Sequence, residues 1–105
     1  MIDIKCFQQL CANDTIIITK HAGDRLIERN ILYASIKSGI MNGKIIESYP
    51  DDYPNPSVLI MGYTDECKPI HIVAGLGEGI IQVITAYTPT IDRWEDDLIT
   101  RKVNQ

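Results

Sequence analysis

The chain holds little from which to build a metal centre or a disulfide framework. Its three cysteines, Cys6, Cys11 and Cys67, are odd in number and form no Cys-x-x-Cys pair, which argues against both a zinc knuckle and a stapled scaffold. Burial is the default expectation for all three. Histidine is also scarce, with only His21 and His71, so metal ligation is weakly signalled and no cofactor is expected. Positive charge is not in surplus: a net charge of −4 argues against broad nucleic-acid binding, although a small nuclease needs only a local basic patch. The longest apolar runs, such as Ile16–Ile18 and Ile70–Gly75, are strand-sized and far short of a membrane span. The first twenty residues place Asp3 and Lys5 in a helix-like start, not in a basic leader followed by an apolar block. No signal peptide and no membrane association are therefore expected, and the expected location is the cytoplasm. Repeats, low-complexity stretches, GxGxxG, P-loop and GxSxG motifs are all missing.

What is present fits one modest domain spanning residues 1–105, with its core over about 15–102. A 45% hydrophobic and 23% charged composition is that of a globular chain. Ile4, Phe7, Leu10 and Cys11 set a helical period over Ile2 to Cys11, broken at Asn13-Asp14. Thr15–Ile18 is a short β-branched run. Thr19 suits the N-cap of a helix over Lys20 to Arg29, with Asn30 at its end and Ala22, Leu26 and Ile27 as its apolar side. A short helix follows over Tyr33 to Gly39, and after Gly43 the period changes to two. Four strands are predicted, Lys44–Tyr49, Ser57–Tyr63, Pro69–Gly75 and Ile80–Tyr87, joined by short connections and by the proline-stiffened loop Pro50–Pro56. The expected fold class is α+β: N-terminal helices, then a four-stranded antiparallel meander. Asp92–Arg101 reads as a C-terminal helical turn carrying Trp94 and Leu98.

The second and fourth of these strands are apolar on both faces, where a sheet with one wet face alternates. Something must cover the second face. The N-terminal helix, the Trp94 segment, a second copy in a homodimer and a partner protein are the candidates.

The chemistry-bearing residues concentrate in the predicted helix Lys20 to Arg29 and the last two strands. His21, Arg25 and Arg29 recur every four residues, and a four-residue step turns a helix by only about 40°, so the three form one stripe. An imidazole beside two guanidiniums matches general-base and phosphate-holding roles. The alternative is a solvated helix face neutralised by His21–Asp24 and Arg25–Glu28 pairs. His71 on the third strand shares a face with Val73, and Tyr87 shares one with Thr85 and Val83 on the fourth. Two histidines are the minimum for metal-free RNA cleavage by acid and base, and here they would have to converge. Glu47, Asp51 and Asp52 are acids that would orient a histidine or hold a metal.

One succession of residues resembles a bacterial domain of unknown function. It runs through His21-x3-Arg25-Leu-x-Glu28-Arg29, the Gly43–Glu47 strand with the Tyr-Pro-Asp-Asp-Tyr-Pro loop, Pro69-x-His71, Ile84-Thr-Ala-Tyr87-x-Pro89 and Trp94-Glu95. That family is often encoded beside a small zinc-finger protein of the MqsA/YgiT type. More distantly it is similar to the BrnT and RelE toxins of the barnase–EndoU–colicin–RelE fold. The resemblance implies a toxin-type, metal-independent endoribonuclease of a toxin–antitoxin pair, restrained by an antitoxin protein and acting on RNA. It implies roles for His21, Arg25, Arg29, His71 and Tyr87. The acidic charge departs from such toxins, which are commonly basic.

Three functional expectations follow. The first is that endoribonuclease, with the two histidines exchanging protons and Arg25 and Arg29 on the phosphate. The second is a non-catalytic protein-interaction module using the apolar sheet face; its binding would barely respond to salt, whereas RNA binding weakens log-linearly. The third is a metal-dependent hydrolase using His71, Glu47 and Asp51.

Overall fold

The computed structural model describes residues 2–103. The order is α1 (Ile4–Ala12), β1 (Ile16–Ile18), α2 (Lys20–Glu28), α3 (Tyr33–Met41), then β2 (Lys44–Tyr49), β3 (Ser57–Tyr63), β4 (Pro69–Gly77) and β5 (Ile80–Tyr87). The class is α+β, as expected, but the sheet is mixed and has five strands in the order β1-β5-β4-β3-β2. The fifth is the Ile16–Ile18 run, which pairs in parallel with β5 from Ile16↔Ile81 to Ile18↔Val83. Three β-branched residues cannot hold a strand alone; they do so here by docking on the edge of a sheet completed more than sixty positions later in the chain.

Local signals set the helix boundaries. The Asp3 carboxylate accepts from Lys5 N at the start of α1, and the Thr19 hydroxyl accepts from Ala22 N at the start of α2, each satisfying an orphan donor of the first turn. Asp14 and Asn30 take positive φ just beyond α1 and α2, where short polar side chains tolerate the left-handed region. Ala22 and Leu26 bury their side of α2. Ile27 does not join them: it lies a further 100° or so around the axis and is 76% exposed. Of the cysteines only Cys11 is buried. It follows Phe7 by one helical turn on the inner stripe of α1, whereas Cys6 sits off that stripe and Cys67 occupies the β3–β4 turn with φ of 62°.

The core lies between the helices and one sheet face: Phe7, Leu26, Ile36 and Ile40 against Val58, Ile60, Ile70, Ile72, Ile81 and Val83. Helix α3 crosses β3 so closely that a Cβ on Gly62 would collide with the Gly39 backbone. Only glycine permits that approach.

A register shift between Val73 and Ala74 in the β4–β5 pairing marks a bulge. It breaks the expected alternation on β5. Ile81 and Val83 face the core, and beyond the bulge it is Ala86 that does so. Tyr87 therefore shares its face with Thr85, opposite His71 and Val73, and not with Val83.

Around His71, Leu59 and Met61 the second face is covered by the chain's own C-terminal segment, while Ile84 on the same face stays 45% exposed. That segment is not helical; it is a set of turns closed by an isolated Trp94↔Arg101 bridge. Asp97 organises it, accepting from Ile99 N, Thr100 N and the Thr100 hydroxyl, with Leu98 at φ 59°. These backbone donors hold the Asp97 carboxyl below its ordinary value. Trp94 is 2% exposed, and His71, Leu59 and Met61 are buried on the face it covers.

Candidate active site

His71 is wholly buried at the centre of this second layer. Its Nε2 lies 2.7 Å from the Leu98 carbonyl oxygen. A carbonyl can only accept, so Nε2 carries a proton and donates it. In the neutral ring Nδ1 is then an acceptor, and the Tyr87 hydroxyl stands 3.4 Å away to donate to it. The Trp94 ring meets the imidazole edge-on with centroids 4.5 Å apart, and the Tyr87 ring does so at 5.3 Å. Burial pushes the His71 pKa below its ordinary value, against the smaller opposing effects of the Leu98 carbonyl and the Glu47 charge. Burial likewise raises the Tyr87 phenol, against Arg101, Arg29 and Arg93.

The tyrosine forms one wall of a cavity of about 390 Å³ lined by Arg29, Tyr87, Arg93, Trp94 and Arg101. Each arginine arrives differently. Arg29, at the C-cap of α2, donates through Nη1 to the Thr85 hydroxyl at 3.0 Å and the Ala86 carbonyl at 2.8 Å. β1 ends opposite Val83, so Arg29 reaches a stretch of β5 that no edge strand covers. Arg101 forms a two-pronged ion pair with Glu47, at 2.7 and 3.1 Å, and lays its guanidinium 4.7 Å over the Trp94 ring. The Tyr49 hydroxyl donates to the same carboxylate at 2.5 Å. Arg101 holds the Glu47 carboxyl below the usual range, and burial beside that acid pushes the Tyr49 phenol up to about 12.

Of the five residues singled out from the sequence, the structure brings together Arg29, His71 and Tyr87. His21 and Arg25 stand apart from them. His21 is exposed in the first turn of α2, eight residues or about 12 Å along the axis from Arg29. Arg25 pairs with Glu28 at 3.3 Å, as the self-paired alternative expected. Asp24, however, pairs with Lys20 at 3.0 Å and not with His21. Glu47 and His71 are turned toward Arg101, Leu98 and Tyr87, and no group of three metal-ligating side chains assembles among the described residues. Arg93 and Arg101 were not foreseen. The signal that points to them is positional: they flank Trp94, in a segment that must fold over an apolar sheet face.

Residues 18–88 match a domain of unknown function, DUF4258. The chain belongs to the DUF4258 family. No curated protein and no solved structure matches it. The family match contains Arg29, Glu47, His71 and Tyr87 and stops short of Arg93, Trp94, Leu98 and Arg101. In this DUF4258 chain the cavity thus joins wall residues from the matched region to a cover from outside it. Among the described residues no helix is long and apolar enough to cross a membrane.

The environment of His71 ties stability to pH. Its folded pKa lies below the ordinary 6.5, so between the two values the unfolded chain binds the extra proton. Stability is full above about 6.5 and is lost as pH falls through the depressed value. Glu47, held low by Arg101, adds a further loss in the same direction at lower pH, below its ordinary 4.5. Urea midpoints measured from pH 7.5 downward should start to fall near pH 6.5, and the His71→Gln protein should lack that first decline.

Proposed function

We propose that this DUF4258 protein is a metal-independent endoribonuclease of the toxin type, with Tyr87 and His71 as its proton carriers. The observation that carries the reading is a tyrosine hydroxyl backed by a buried, neutral imidazole in a cavity with three arginines. Arginine forks suit the oxygens of a phosphodiester and the charge that builds on them during transfer. Tyr87 Oη takes the proton of the 2′-hydroxyl while its own passes to His71 Nδ1. The 2′-oxygen bonds to phosphorus and the bond to the 5′-oxygen breaks. The proton then returns from the imidazolium through Tyr87 to the 5′-oxygen, leaving a 2′,3′-cyclic phosphate and a 5′-hydroxyl. The Leu98 carbonyl, which accepts from Nε2 throughout, stabilises the transient imidazolium. His21 and Arg25, farther along α2, are assigned to approach of the strand and not to the chemistry. An RelE/BrnT-like relationship and restraint by an antitoxin protein, of zinc-finger type, belong to the same proposal and are supported by the resemblance of residues 15–102.

The test is incubation of labelled mixed-sequence RNA with the purified protein in EDTA. Cleavage to 2′,3′-cyclic ends is the expected result, and intact RNA overturns it. A second reading, a non-catalytic interaction module, draws on Ile84. It is 45% exposed on the part of the second face that the C-terminal segment leaves open.

A further inference from the structure

Two further hollows adjoin the Tyr87 cavity and share its walls. One, of about 420 Å³, is lined by Asp92, Arg93, Arg101 and Lys102. The other, of about 230 Å³, includes Arg29, Lys68 and Thr88 and reaches Ser35 and Ile70 on the helix side of the sheet. Arg29 belongs to the middle and the helix-side hollow, and Arg93 and Arg101 belong to the middle and the outer one. Five of the chain's ten Lys and Arg residues line this row, against the carboxylates of Asp92 and Glu66 in its walls and of Glu47 paired with Arg101. The net charge of −4 therefore conceals a local excess of positive charge. The row also bends. It begins on the helix side of β4, passes Arg29 at the uncovered end of β5, and continues under the C-terminal segment on the opposite face.

We infer that this row is a binding track for single-stranded RNA, in which Lys68 and Lys102 hold the phosphates on either side of the one seated at Tyr87. The inference rests on the middle hollow being the cleavage site and adds the form of the substrate. A duplex is stiff over many base pairs and does not fold around a sheet end within a few phosphates. A single strand turns at every nucleotide. Among the described residues the track offers one partly exposed aromatic ring, Tyr87, whose hydroxyl is turned to His71, while Trp94 is buried beneath Arg101. Recognition is then by backbone charge, with little preference among bases.

The test is fluorescence anisotropy with a labelled 2′-O-methyl RNA, which has no 2′-hydroxyl to attack, as a single strand and as a hairpin duplex across a salt series. The single strand should bind more tightly. Lys68→Ala and Lys102→Ala should each lower the slope of log affinity against log salt by about 0.7. Lys5→Ala, on the exposed side of α1, should leave it unchanged. A duplex preference, slopes unaltered in both variants, or an equal drop in Lys5→Ala overturns the track. Because no strand is cut in this assay, its outcome is separable from the catalytic one. Lowered slopes without RNA cleavage would retain the track and remove the catalytic assignment; cleavage with unaltered slopes would do the reverse.

Discussion

Tyr87→Phe should cut RNA about 10²- to 10⁴-fold more slowly than the parent while keeping its fold. That range is what a positioned proton carrier contributes, about 3–5 kcal/mol of transition-state stabilisation. The substitution removes one oxygen and nothing else. The ring retains its edge contact with His71, and the lost hydrogen bond is a long one at 3.4 Å, so stability should fall by about 1 kcal/mol or less. Single-turnover cleavage in EDTA, with circular dichroism matched to the parent, separates the two effects. His21→Ala and Arg25→Ala serve as the contrast, since both side chains are exposed on the helix away from the cavity. Parental rates in Tyr87→Phe together with an inactive His21→Ala protein would move the proton transfer to α2 and sink the assignment.

How much of this was legible in the sequence depends on how far apart the interacting residues lie. The helix ends were legible because their causes are local: Thr19 three residues before the donor it satisfies, Asn30 at a left-handed position just past α2. So were the spans of β2, β3 and β5, whose composition and turn signals are short-range. The doubly apolar strands also announced a covered second face, and one of the four covers they allowed is present. The pairing of β1 with β5 was not legible, because three isoleucines have the same local character whether or not an edge lies waiting for them. The bulge between Val73 and Ala74 was hidden for a related reason. Ile84, the residue it inserts, continues the β-branched run of Val83 and Thr85, so the pattern carries no mark of the slip that separates Thr85 and Tyr87 from Val83's face. The segment Asp92–Arg101 reads as a helical turn in the sequence and is a set of turns in the structure, because Asp97 bonds to backbone two and three residues ahead, which competes with the helix, and Ile99 and Thr100 are poor helix formers. The histidine–arginine stripe was legible as a stripe and misleading as a site: only its last member, Arg29, reaches the cavity, because the stripe runs along the helix and the cavity touches its end.

Trp94→Ala should be the most damaging single change in the C-terminal segment, costing about 3–5 kcal/mol. The indole is 2% exposed, with His71 at its edge and the Arg101 guanidinium over its face. Removing it leaves a void that the flanking turns have no means to fill. A domain of this size holds a net stability of only about 5–15 kcal/mol, so the loss is a large fraction of the whole. Urea denaturation should show the drop in midpoint directly. A second observable distinguishes loss of the cover from general weakening. The Nε2 proton of His71 is held by the Leu98 carbonyl four residues beyond Trp94. If the indole anchors that segment, its loss readmits water, the imidazole pKa climbs back toward its ordinary value, and the Nε2–H resonance exchanges quickly. If the variant unfolds at a midpoint near the parent's and His71 titrates as before, the segment is held by Asp97 and the Arg101–Glu47 pair instead. The same variant bears on function. A histidine in water becomes protonated as pH falls through about 6.5, above the depressed value of the buried ring, and the protonated ring cannot take a proton from Tyr87, so Trp94→Ala should also shift the acid limb of the cleavage profile to higher pH. Burial by Trp94 is thus tied to catalysis through one quantity, the fraction of His71 that is neutral. The midpoint and the acid limb should move together in every substitution that loosens this cover.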